Sequence, residues 1–230
     1  MKILVACEES QRVCEAFRAK GHEAYSCDIV ECSGGHPEWH IHGNVLRILN
    51  GNCIFKTEDC RNHYVEGKWD MIIAFPPCTH LAVSGARHFT KKREDGRQRE
   101  AIEFFCTMLN ADCDKIVVEN PVNIISGDYI KKWYPDLCEK YGLPIKPSQR
   151  IQPYEFGDKA RKKTCLWIKG LPNLVSTDIV EPELEYYTKK DGTITSFSKG
   201  FSSGFKSSER ATVRSKTYLG VAKAMAEQWG

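Results

Sequence analysis

Trp69-Asp70-Met71-Ile72-Ile73-Ala74-Phe75-Pro76-Pro77-Cys78 is the stretch on which the fold turns. An acid precedes five consecutive apolar residues, and two prolines follow them. A short apolar run without alternation reads as a strand buried on both faces, the kind that parallel sheets hold. The prolines stiffen the backbone as it leaves that strand and keep Cys78 at its tip. On the tripeptide alone, a rigid turn followed by a packed cysteine is as good a reading as a presented nucleophile.

Working outward, the same kind of run recurs at Lys2 to Ala6, Lys115 to Val118 and Thr164 to Ile168. Ser10 is placed to cap a helix whose Val13, Ala16 and Phe17 share a face and which Gly21 ends. Ala24 to Cys27 makes the next strand and stops at Asp28. From Val30 to Glu66 the chain reads as loop, with one helical turn at Val45 to Leu49. Residues 79–96 read as a long polar loop. Helical spacing marks Arg97 to Leu109, Thr217 to Trp229, and Asp128 to Tyr141 with Tyr129, Trp133 and Leu137 inward. Residues 171–210 read as irregular. Strands alternating with helices predict a mostly parallel sheet covered on both faces. Ligands in such folds bind at the carboxyl ends of the strands. The residues with chemistry to offer stand there: Cys7 to Ser10, Asp28, Cys78 and Glu119 each follow a strand.

The 230 residues are enough for one α/β domain with a full core and a small appendage. Hydrophobic residues at 41% against 27% charged exclude a disordered chain. No apolar run approaches the ~20 residues that span a bilayer. The acidic pair Glu8-Glu9 interrupts the opening too early for a signal peptide, so the expected place is the cytoplasm. The 11 cysteines are scattered singly, with no CxxC pair, which points to reduced thiols and away from a disulfide framework or a zinc ribbon. His36, His40 and His42 lie within seven residues, but Pro37 and Trp39 break any regular ligand face, and no metal is expected. A net charge of +3 permits nucleic-acid binding without arguing for it.

Taken in order, these stretches resemble the DNA cytosine-5 methyltransferases, above all the compact phage- and prophage-type members. Pro77-Cys78 followed by Ser84-Gly85 resembles the family's nucleophile motif, with Thr79 where glutamine is usual. Glu119-Asn120-Pro121 matches its Glu-Asn-Val, and Arg161-Lys162-Lys163 approximates its Arg-x-Arg. Gly220-Val221-Ala222-Lys223-Ala224 is similar to its closing helix, with Val221 in place of asparagine. Cys7-Glu8-Glu9-Ser10 and the run from Thr164 to Pro172 are shared with the small members. The cofactor loop departs most: Ala6 to Gln11 contains no glycine.

The resemblance implies an α/β, Rossmann-like S-adenosylmethionine-dependent methyltransferase fold. Residues 1–170 and 211–230 would form the catalytic domain, with 171–210 a short insertion in place of a target-recognition domain. Cys78 would be the nucleophile, Glu119 the acid that engages the ring, and Arg161 and Lys163 the positioning cations. S-adenosylmethionine would be held by Ala6, Cys7, Glu8, Ser10, Asp28, Ile29, Asn44, Val45, Pro76, Pro77 and Val221, and S-adenosylhomocysteine would leave as product. Double-stranded DNA would meet Ser84, Lys91, Lys92, Arg93, Lys199 and Lys206. The short insertion implies limited base reading or help from a protein partner. Two alternatives stay open: a cytosine-C5 modifying enzyme with another one-carbon donor, and a non-catalytic DNA-binding relative. Glu119 alone also reads as a helix-capping acid, and residues 199–206 as a polar surface loop.

Overall fold

The computed structural model describes residues 1–199 and 215–230. The chain runs β1 (Lys2–Ala6), α1 (Arg12–Ala19), β2 (Glu23–Asp28), β3 (His40–His42), β4 (Cys53–Lys56), β5 (Asn62–Val65) and β6 (Met71–Ala74). It continues with α2 (Phe89–Glu94), α3 (Arg97–Leu109), β7 (Ile116–Pro121), α4 (Asp128–Trp133), α5 (Pro135–Tyr141), β8 (Gln149–Ile151) and β9 (Thr164–Lys169). β10 (Leu184–Thr188), β11 (Ile194–Ser198) and α6 (Leu219–Trp229) complete it.

Seven strands form one sheet in the order β3-β2-β1-β6-β7-β9-β8. β3, β2, β1, β6 and β7 are mutually parallel, and β9 runs antiparallel to both β7 and β8. The apolar runs are buried on both faces, as their lack of alternation requires. Leu4, Ala6, Ile72 and Ala74 look into a layer holding Ile102 and Phe105 of α3 and Leu137 of α5. Their neighbours Ile3, Val5, Met71 and Ile73 look the other way, onto Val13 and Phe17 of α1 and Met225 and Trp229 of α6. An α/β chain with a large, mostly parallel sheet and helices on both faces is therefore what the sequence folds into. The strand order reverses between β1 and β6, which opens a crevice above their carboxyl ends.

Several local expectations change. Ser10 does not cap α1; the cap position is Gln11, and the Glu8 carboxylate accepts the buried Val13 and Cys14 amides at 2.7 and 3.2 Å. The stretch from Val30 to Glu66 contains the edge strand β3 and the β4-β5 hairpin. The single helix expected over 128–141 is two, because Pro135 cannot donate to the preceding turn and starts α5 instead. Trp133 consequently faces outward while Leu137 stays buried. Residues 79–96 hold a 3-10 segment, Val83–His88, and α2 in place of an open loop. Within 171–199, β10 and β11 pair as an antiparallel hairpin. Among the described residues, no helix is long and apolar enough to cross a membrane.

Candidate active site

The crevice above β1 and β6 is a cleft of about 1170 Å³. Its walls are the segments that leave the strands. Cys7 to Ser10 follow β1, Asp28 ends β2, Phe75 to Thr79 follow β6, and Glu119 lies near the end of β7. Arg161 and Lys162 enter from the approach to β9.

The first of these segments makes its turn without glycine. Cys7 takes a left-handed conformation at φ 60, and Gln11 repeats it at φ 59. Cys7 and Glu8 both donate their amides to the Cys27 carbonyl, at 2.7 and 3.3 Å. Gln11 is fully buried; its amide nitrogen donates to the His36 carbonyl at 2.8 Å, and its amide oxygen accepts the His36 N–H at 3.0 Å. The neighbouring loop packs closely against this turn. A β-carbon on Gly34 would lie 2.6 Å from Gln11 Cβ and 2.7 Å from the Ser10 carbonyl oxygen. Only glycine allows the two loops to touch. Ser33-Gly34-Gly35 was the signal for this in the sequence, and motif reading confined to residues 6–11 passes over it.

Glu8 and Asp28 line the cleft with different duties. Burial pushes the Glu8 carboxyl up to about 7, against the pull of the two amides it accepts. Asp28 accepts the Val30 amide at 3.2 Å, and burial raises its carboxyl as well. Ile29 stands 75% exposed beside it. Ala6 is enclosed in the sheet. Asn44 is not brought to the cleft wall: its side chain accepts the Leu46 amide and caps the 3-10 turn Val45–Arg47. Val45 turns into the core. Val221 lies in the opposite core layer and borders a small cavity behind Glu119.

The segment after β6 is braced from below. The buried Asn120 donates to the Pro76 carbonyl at 2.8 Å and accepts from Asn123 at 3.0 Å. Pro77 is exposed and Cys78 half-buried. The Cys78 carbonyl accepts the Leu81 and Ala82 amides, so the chain turns sharply behind the thiol. Val83 donates to the Val122 carbonyl at 3.1 Å, and Ile124 to that of Leu81 at 3.1 Å. The residues after Cys78 are thereby stitched to those after β7. Ser84 stands on the rim of the cleft.

Glu119 and the approach to β9 form the opposite wall. Burial raises the Glu119 carboxyl, while Lys162 and the Thr164 hydroxyl pull it down. Lys162 and Thr164 sit two residues apart, so an extended chain turns both to Glu119 and turns Lys163 away. Lys163 is exposed and outside the cleft lining. Arg161 keeps its place on the wall because β11 holds it. Its amide donates to Ser198 Oγ at 2.6 Å, and its guanidinium donates to Ser196 Oγ at 2.7 Å. Lys162 is the site residue that motif spacing missed; Thr164 at the head of a buried strand sets the phase that would have found it.

The cations after Cys78 are mostly engaged inside the protein. Lys92 is buried and donates to the Thr79 carbonyl. Arg93 donates to the Tyr129 hydroxyl at 2.7 Å and stacks 3.8 Å from the Trp133 ring centre. Arg97 pairs with Asp95 and Arg99 with Asp136. Lys91 remains exposed, and Lys199 is exposed 4.0 Å from Glu183. Lys206 lies outside the described residues. The His40 ring bonds Ser26 Oγ at 2.8 Å and the Val30 carbonyl at 3.0 Å, and the His42 ring bonds the Ile29 carbonyl.

No protein-family model and no curated protein matches the chain. Among solved structures, the chain is similar to a prophage-encoded E. coli protein described as a candidate DNA modification methyltransferase, with a TM-score of 0.46 and 12% identity over 87% of this chain. The similar region spans 62% of that protein's length.

Proposed function

We propose that this chain transfers a methyl group from S-adenosylmethionine to C5 of cytosine in DNA, with Cys78 as the nucleophile. The observation that carries the reading is that one cleft holds Cys78, a carboxyl raised by burial at Glu119, and the Cys7–Ser10 and Asp28 segments. The cleft suits a nucleoside cofactor in three respects. Asp28 offers a carboxylate at the tip of β2, where a ribose diol would be recognised. Val30 exposes apolar surface on the cleft wall next to it. The volume exceeds what one small ligand fills, leaving space for a flipped base. When bound, S-adenosylmethionine supplies an electrophilic methyl group on a sulfonium.

The protein's own part follows from cytosine chemistry. The ring is too poor a nucleophile at C5. A Cys78 thiolate adding at C6 forms an S–C bond and pushes the electron pair toward C5. A protonated Glu119 donating to N3 takes up the charge that builds on the ring. Once C5 carries its new substituent, loss of the C5 proton to a base lets the S–C6 bond break and returns the thiolate. DNA carrying 5-fluorocytosine stops this last step, because fluorine does not leave as a proton does. With S-adenosylmethionine present, wild-type protein should form a denaturant-stable adduct with such DNA. Absence of the adduct, or its formation by the Cys78→Ser protein, would overturn the proposal.

The pairing of Lys162 with Glu119 gives a pH prediction. The reaction needs the protonated carboxyl, so kcat/KM falls as pH rises through the Glu119 pKa. Lys162 lowers that pKa. Lys162→Met should therefore move the alkaline limb of the kcat/KM profile to higher pH, whatever it does to DNA affinity. A limb that stays in place, or moves down, contradicts the pairing.

A further inference from the structure

Resting on that reading, we propose that Lys216 is the cation that receives the carboxylate of the cofactor's amino-acid moiety. In many α/β folds the amides at the first helix's N-terminus would take such an anion. Here that position is filled from within, since the Glu8 carboxylate accepts the Val13 and Cys14 amides of α1. A second carboxylate arriving at the same amides would find no spare donors. The rest of this end of the cleft is also acidic: Glu9, Asp28 and Glu31 line it with Glu8. Such a wall suits the sulfonium and ammonium of the cofactor and repels its carboxylate.

Among the described residues lining the cleft, the cations are Arg161, Lys162 and Lys216. The first two belong to the Glu119 wall. Lys216 arrives from the segment that precedes α6 and reaches the loops after β1 and β2. Its ammonium donates to Ser33 Oγ at 2.8 Å and stands 4.0 Å from the Glu9 carboxylate. An ammonium has three protons to donate, and the Glu9 distance is beyond a hydrogen bond. The segment is fixed nearby, because Arg12 donates to the Thr217 carbonyl at 2.7 Å. Lys216 is thus held at the end of the cleft where, among the described residues, the lining offers an anionic ligand group no other cation.

Calorimetry with S-adenosylhomocysteine and its decarboxylated analogue, which lacks only the carboxylate, tests the assignment. Wild-type protein should bind the analogue about 10-fold more weakly or worse, as expected for a lost charge-assisted hydrogen bond. Lys216→Gln should weaken S-adenosylhomocysteine by a similar factor and leave the analogue unchanged. Lys216→Arg, which keeps the charge, should retain most of the affinity. An equal loss for both ligands in Lys216→Gln would mean that Lys216 only braces the two loops, and overturns the assignment. Unchanged binding of both ligands does the same. Failure of wild-type protein to bind either ligand overturns the cofactor reading together with it.

Discussion

Cys78→Ser should lose methyl transfer by roughly 10⁴-fold or more, the scale seen when a covalent nucleophile is removed, while melting like the wild-type protein. The hydroxyl keeps the shape of the thiol but is hardly ionised near neutrality, so the attack at C6 loses its nucleophile. The fold should not notice. Backbone bonds at this position include those the Cys78 carbonyl accepts from the Leu81 and Ala82 amides and the one the Pro76 carbonyl accepts from Asn120. Serine preserves all of them. Single-turnover transfer of a tritiated methyl group, read beside thermal unfolding, separates chemistry from folding. Turnover within 10-fold of wild type would remove Cys78 from the mechanism.

The largest expected effect on stability lies at Gly220→Ala. A β-carbon there would sit 1.8 Å from the Phe156 carbonyl oxygen and 2.7 Å from an Asp158 carboxylate oxygen, and the first of these is backbone that cannot rotate aside. The Gly220 amide also donates to that Asp158 carboxylate at 2.9 Å, so retreat of the helix costs this bond as well. α6 must back away, loosening Val221, Met225 and Trp229 from the core they share with α1. Overpacking of this severity should cost about 3 kcal/mol or more, which for a chain of this size lowers Tm by roughly 10 °C. Calorimetric melting checks it; a Tm within 2 °C of wild type would mean that the contact at Phe156 is not made in solution.

What could be read from the sequence follows from how strongly each segment announces its burial. β1, β6, β7 and β9 are continuous apolar runs, and burial on both faces leaves them no other reading. β3 is three residues, His-Ile-His, with one apolar side chain, and no periodicity can be counted over that length. The two hairpins were hidden for a related reason: their outward partners include Ile54, Tyr64, Tyr186 and Ile194, so hydrophobicity there does not track the core. In the candidate site, Cys78 and Glu119 were legible because strand ends collect at one edge of a parallel sheet. Lys162 was not, because Arg161, Lys162 and Lys163 read alike along the chain until the position of Glu119 shows which of them turns to it. Lys92 and Arg93 looked like solvent-facing cations. Their long stems let one charge fold back onto the Thr79 carbonyl and the other onto Trp133.

Gly34 bears on how such chains are found and how they drift. The missing β-carbon that lets the turn after β1 pack closely lies outside residues 6–11, on Gly34 of the facing loop, pressed against Gln11 and the Ser10 carbonyl. A pattern written along the chain scores residues 6–11 as lacking that feature, whereas a pattern written in space scores it as present. Substitution should therefore be tolerated differently from what the linear reading implies: positions 7 to 11 are free to carry side chains, and the ban on a β-carbon has moved to position 34.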